Sequence, residues 1–106
     1  LAEPLRAALA PLAAQIRAAF VYGSIAKKED TASSDIDLML VSDTLTYGDA
    51  TLALQAATAQ LGREVNPNIF TPPDFAKRLK EGGSFVSRVM GQPKIWLIGG
   101  LGELGV

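Results

Sequence analysis

Asp35 and Asp37 flank a single isoleucine in the run Asp35-Ile36-Asp37-Leu38-Met39-Leu40-Val41-Ser42. On an extended strand, residues two apart point to the same side, with their side-chain roots about 6.5 to 7 Å apart from a rise near 3.3 Å per residue. At an effective dielectric near 20, two unit negative charges about 6 Å apart repel by roughly 3 kcal/mol, so both stay ionised only beside a cation, a donor cluster or solvent. A divalent ion meets that demand directly. Oxygen-only ligation suits Mg²⁺ or Mn²⁺, with phosphate oxygens and waters completing the shell. The donors a phosphate needs are offered by Gly23-Ser24: glycine permits close backbone approach, and Ser24 adds a hydroxyl where a short helix begins, its free amides favouring an anion. Lys27 and Lys28 lie within a turn of that point. The chemistry foreshadowed is the binding of a metal-triphosphate.

The elements that must position these groups follow from local signals. Ala19-Phe20-Val21-Tyr22 is a short apolar run ended by Gly23, which predicts a buried strand running into a tight turn, with Ser24 capping a short helix over residues 25–29 and a polar loop to Ser34. In the strand over residues 35–42, Ile36, Leu38 and Leu40 form one apolar face, while the other is acidic at its first end and apolar farther on. That strand therefore enters the core from a wet rim and is then buried on both faces. An antiparallel pairing of these two strands puts the glycine turn and the acidic rim at one end of the sheet.

Upstream, Leu5, Leu9, Leu12, Ile16 and Phe20 recur at helical spacing and predict a first helix over residues 1–20, kinked or restarted at Pro11. Downstream, a helix is expected over residues 48–61 with Gly62 as its stop. A strand over residues 64–70 carries Pro67 and so belongs at a sheet edge or a bulge. Thr71 then caps a helix running to Lys80, and Ser84 starts a smaller one to Met90. A last strand is expected over residues 94–99, with Trp96 in the core, and residues 100–106 as a frayed tail. This pattern predicts one α/β domain, a small mixed sheet covered by helices, across residues 1–106.

Composition narrows the function. The chain has 106 residues, ten Lys and Arg against eleven Asp and Glu, and a formal charge of -1, so no basic excess is available to grip nucleic acid autonomously. No histidine or cysteine is present, which excludes Ser-His-Asp and Cys-His catalysis, imidazole or thiolate zinc sites, and disulfides. The absence of cysteine fits a reducing, cytoplasmic compartment. Arg6, Gln15 and Arg17 interrupt the alanine-rich start well below the roughly 18 apolar residues of a membrane span.

Gly23-Ser24-Ile25-Ala26 followed by Ser34-Asp35-Ile36-Asp37-Leu38 closely resembles the signature of the DNA polymerase beta-like nucleotidyltransferase superfamily, and most of all its minimal small-domain members. The resemblance implies a palm-like fold in which Gly23 and Ser24, with Lys27 and Lys28 nearby, hold the triphosphate. It implies Asp35 and Asp37 as catalytic ligands of two Mg²⁺ ions for attack of an acceptor hydroxyl on the α-phosphoryl group of an NTP. Such domains resemble those found beside helical protein partners in toxin-antitoxin pairs or fused to DNA-binding regulators. The opening Leu1 fits a domain excised from a longer chain.

The sequence departs from the family pattern at Lys28, where glycine is common, and at the third carboxylate of the next strand. There, in Glu64-Val65-Asn66-Pro67-Asn68, the acidic position falls on Asn66 or Asn68. An amide is no base, so turnover requires Glu64 on the same alternating face to substitute. Two readings follow, an active nucleotidyltransferase and a degenerate module that binds a nucleotide or a protein partner. A metal-dependent glycosyltransferase is disfavoured by the short length.

Overall fold

The computed structural model describes residues 2–23 and 35–104. Ser24, Lys27 and Lys28, together with the expected short helix and polar loop, lie outside the described residues. Helix α1 (Ala2–Leu9) leads through a 3₁₀ segment (Ala10–Gln15) into strand β1 (Ala18–Tyr22), followed by β2 (Ile36–Val41), α2 (Tyr47–Leu61) and β3 (Val65–Phe70). The chain then forms α3 (Pro72–Lys80), α4 (Phe85–Met90), β4 (Ile95–Ile98) and a last 3₁₀ turn (Leu101–Leu104).

The four strands form one mixed sheet in the order β3-β2-β1-β4. β1 pairs antiparallel with both β2 and β4, whereas β2 and β3 run parallel, with α2 as the crossover between them. β3 is an edge strand, so Pro67 sits where a missing N–H is tolerated.

Helices cover both faces of the sheet. Ala19, Val21, Ile36, Leu38 and Leu40 pack toward α1 and α2 with Leu5, Leu9, Leu54 and Ala57. Ala18, Phe20, Tyr22, Met39 and Val41 face the other way, against Phe75 of α3, Val86 and Val89 of α4, and Leu104. The two faces of β2 are thus both buried beyond Asp37, as its residue pattern requires. Trp96 packs against the second cluster, 5.0 Å from the Phe20 ring.

The caps act where the residue types place them. Thr46, Thr71 and Ser84 accept from the N–H groups of Asp49, Asp74 and Ser87, and Gly62 ends α2 at φ 67°.

Two expectations are corrected. The first helix does not continue to Phe20. Pro11 cannot donate within a helix interior, α1 stops at Leu9, and the chain tightens into the 3₁₀ segment. Leu12 and Ile16 still join the α1 side of the core, but Phe20 belongs to β1 and faces the opposite cluster. Nor is the C-terminal segment simply frayed, because Leu104 is fully buried in that second cluster.

Candidate active site

The antiparallel register sets Tyr22 opposite Asp37, so the first residue after β1, Gly23, arrives beside the acidic rim of β2. Gly23 has φ 78°, in the left-handed region, and a Cβ built on it would stand 2.6 Å from Asp37 Oδ2. The backbone thus favours glycine there, and any Cβ would have to push the Asp37 carboxylate aside. The bend and the carboxylate are in contact, the juxtaposition that a metal-bound anion requires.

The parallel register adds the third wall. Asn66 aligns with Asp37 and Asn68 with Met39, so both amides share a face with the aspartates. Asn66 Nδ2 donates to Asp35 Oδ2 at 3.3 Å, and Asn68 Nδ2 donates to the Tyr22 hydroxyl at 2.9 Å. Of the three candidates for the third position, Asn66 is therefore the one that touches the acidic pair, while Asn68 is spent one step deeper.

Glu64 is exposed, its carbonyl accepting from the Ile36 N–H at 2.9 Å. It lines a separate groove of about 440 Å³ with Tyr47, Thr51 and Thr58 of α2. Among the described residues no group of three acidic side chains converges as a metal site.

The electrostatics follow from this packing. Partial burial raises the Asp37 carboxyl above its ordinary value of 3.8, Asp35 raises it further, and the Asn66 amide opposes both. Burial, then the Asp37 charge, push the Tyr22 phenol up to about 12 against the opposing Asn68 bond, so Tyr22 stays protonated at neutral pH. Asp35 is exposed and Asp37 only partly covered, which leaves carboxylate oxygens available to an incoming cation. Two carboxylates with open oxygen positions and no ion pair among the described residues are a donor set that fits Mg²⁺ or Mn²⁺.

A cleft of about 300 Å³ opens over this point, lined by Tyr22, Gly23, Asp37, Phe85, Arg88 and Gln92, with Val89 at its base. Four of these, Phe85, Arg88, Val89 and Gln92, come from α4 and the turn after it, a segment whose residue pattern predicts only a small capped helix. The signal that could have found two of them is the spacing of Phe85 and Arg88, three residues apart on one face of α4.

A model of the family described as polymerase beta, nucleotidyltransferase, matches residues 8–89. No curated protein matches the chain by sequence. Among solved structures, a toxin-antitoxin with AMP-PNP superposes with a TM-score of 0.67 at 18% identity, covering 98% of this chain and 77% of that one. A mutant of the toxin-antitoxin MntA-HpeT superposes with a TM-score of 0.68 at 14% identity, covering 99% of this chain and 78% of the other. At these identities the solved structures speak for the fold: the mixed sheet with helices on both faces is the arrangement that they share. The family match spans the glycine bend, the acidic strand, β3 and most of α4, so this chain belongs to the polymerase beta-type nucleotidyltransferase family.

Proposed function

We propose that the protein transfers a nucleoside monophosphate from an NTP to an acceptor hydroxyl, with Asp35 and Asp37 holding divalent metal and the Gly23-Ser24 bend holding the triphosphate. The observation that carries this reading is the left-handed bend at Gly23 set against the Asp37 carboxylate, so close that a Cβ on Gly23 would stand 2.6 Å from Oδ2. In the transfer the acceptor hydroxyl gives its proton to water at the exposed rim, its oxygen bonds to the α-phosphorus, the bond from that phosphorus to the α–β bridging oxygen breaks, and pyrophosphate leaves. Divalent ions, when bound, neutralise phosphate charge and activate the hydroxyl. The protein's own part is placement: Asp35 and Asp37 fix the charge, Asn66 orients Asp35, and Tyr22, kept neutral, buttresses the buried side of the site. Lys27 and Lys28, on the segment after the bend, supply further positive charge for the phosphates.

ATP is the favoured donor, since one structure of this fold was solved with AMP-PNP, and a protein partner is the favoured acceptor, since both are toxin-antitoxin structures. Among the described residues no helix is long and apolar enough to cross a membrane. Cytoplasm, where NTPs and Mg²⁺ are plentiful, is the compartment that this chemistry needs.

A specific observation favours a second reading. Asn66, in register with Asp37, contributes an amide donor where catalysis calls for a base. A domain of this kind would bind NTP without turning it over and would serve regulation through a protein partner or a fused DNA-binding domain. One experiment separates the two: incubation with α-phosphate-labelled ATP, Mg²⁺ and cell extract. Label transfer lost in Asp37→Ala establishes the enzyme. Metal-dependent ATP binding without transfer establishes the module, and neither binding nor transfer refutes both.

A further inference from the structure

The cleft beside Asp37 contains a wall that the acidic motif does not explain. Phe85 opens α4 and is 38% exposed despite packing edge-on to Tyr22 at 6.0 Å and stacking on Phe70 at 6.4 Å. A large ring supported from behind by two others and open toward a concavity is a rigid apolar plate. Arg88 lies three residues on along the same helix and lines the same cleft.

Two other described cations, Lys94 and Arg78, are committed elsewhere. Lys94 Nζ donates to the carbonyls of Met90 and Gln92, and Arg78 pairs with Asp74 at 3.2 Å while lying over the Phe70 ring. Arg88 makes no ion pair with any described residue, although it shares a cleft of about 300 Å³ with Asp37. A guanidinium and a carboxylate that border one cavity without joining leave a gap between them. That gap suits a ligand whose anionic groups face Arg88 and whose metal-bound side faces Asp37. The volume admits a nucleoside and its nearest phosphate rather than a whole NTP.

We infer that α4 is the donor-nucleotide wall of the site: Phe85 underlies the nucleoside and Arg88 pairs with phosphate oxygens next to it. This deepens the nucleotidyltransferase reading and rests on it. Because a π face accepts any base, Phe85 supplies affinity without choosing among bases.

The test is calorimetric titration of the protein, in Mg²⁺, with a non-hydrolysable ATP analogue and separately with inorganic tripolyphosphate. Phe85→Ala should weaken the ATP analogue about tenfold and leave tripolyphosphate unchanged, with Phe85→Tyr restoring the parent affinity. Phe85→Leu keeps apolar contact with Tyr22 and Phe70 but lacks a ring face. It should show the same loss, which guards against an effect of misfolding. Arg88→Gln should weaken both ligands by about tenfold. If Phe85→Leu and Arg88→Gln bind the ATP analogue as tightly as the parent, the assignment of α4 fails while the nucleotidyltransferase reading stands. If the parent itself binds no ATP analogue in Mg²⁺, both fail together.

Discussion

The two ends of the β1–β2 ladder are built from the same strands and face the same helices, yet one is sealed and the other is a site. At the sealed end Ala18 lies opposite Val41, both fully buried. Beyond it Ser42 donates to the Gln15 carbonyl and accepts from the N–H groups of Thr44 and Leu45. Among the described residues no buried side-chain polar atom lacks a partner. At the open end Tyr22 lies opposite Asp37, and the carboxylate has a like charge two residues away, an amide on one side and a bare glycine on the other. Three residues along one face of β2, Val41, Met39 and Asp37, lead from a packed core to a carboxylate that has no ion pair among the described residues. The site therefore costs the fold little: Asp35 is exposed and Asp37 only partly covered, so the acids escape full burial.

The largest effect is expected from exchanging the characters of the two ends. Asp37→Val should reduce label transfer from NTP by about 10³-fold, more than the 10- to 100-fold that loss of an outer-shell partner costs, while the melting temperature is maintained or rises. The reverse change at the sealed end, Val41→Asp, places a charge in full burial with no donor prepared for it. It should cost about 4 kcal/mol and abolish the cooperative melt followed by circular dichroism. Equal tolerance of both changes would mean that the two ends do not differ in the way described.

A smaller effect sharpens the open end alone. Gly23→Ala forces an L residue to φ 78° and sets its Cβ against Asp37 Oδ2. The backbone term is about 1–2 kcal/mol of stability, measurable by urea denaturation. The displaced carboxylate should lower Mg²⁺-dependent nucleotide affinity beyond what the stability loss explains.

How much of this contrast was legible before the coordinates depends on the range of the signal. The acidic entry and dry interior of β2, the caps at Thr71 and Ser84, and the edge position of Pro67 are each dictated within a few residues, and each stands in the fold. The extent of α1 was misjudged because alanine-rich periodicity continues past Pro11, whereas the backbone cannot. Alternation places Asn66 and Asn68 on one face but cannot choose between them. Only the parallel register, a long-range pairing, sets Asn66 beside Asp37 and leaves Asn68 to Tyr22. The α4 wall is illegible for the same reason: Phe85 and Arg88 sit some fifty residues beyond the acids and reach them only through the packing of α4 on the sheet face that Asp37 shares.

The smallest expected effect probes the charge itself. The folded-state pKa of Asp37 is raised above 3.8, so the folded protein holds that proton more tightly than the unfolded chain does. Its contribution to stability is therefore fully present below about pH 3.8 and is lost as pH rises through the raised value. Asp37→Asn never acquires the charge and escapes that loss. For a carboxylate this solvated the difference should be about 0.5 kcal/mol at pH 7, or roughly 2–4 °C in melting temperature in favour of the variant, shrinking toward zero on acidification. Mg²⁺ should invert the order, because it stabilises only the form that binds it: the parent's melting temperature rises with added Mg²⁺ and the Asn variant's does not. A gap that is constant with pH would place the variant's advantage in packing instead, and would remove the unrelieved charge from the open end of the ladder.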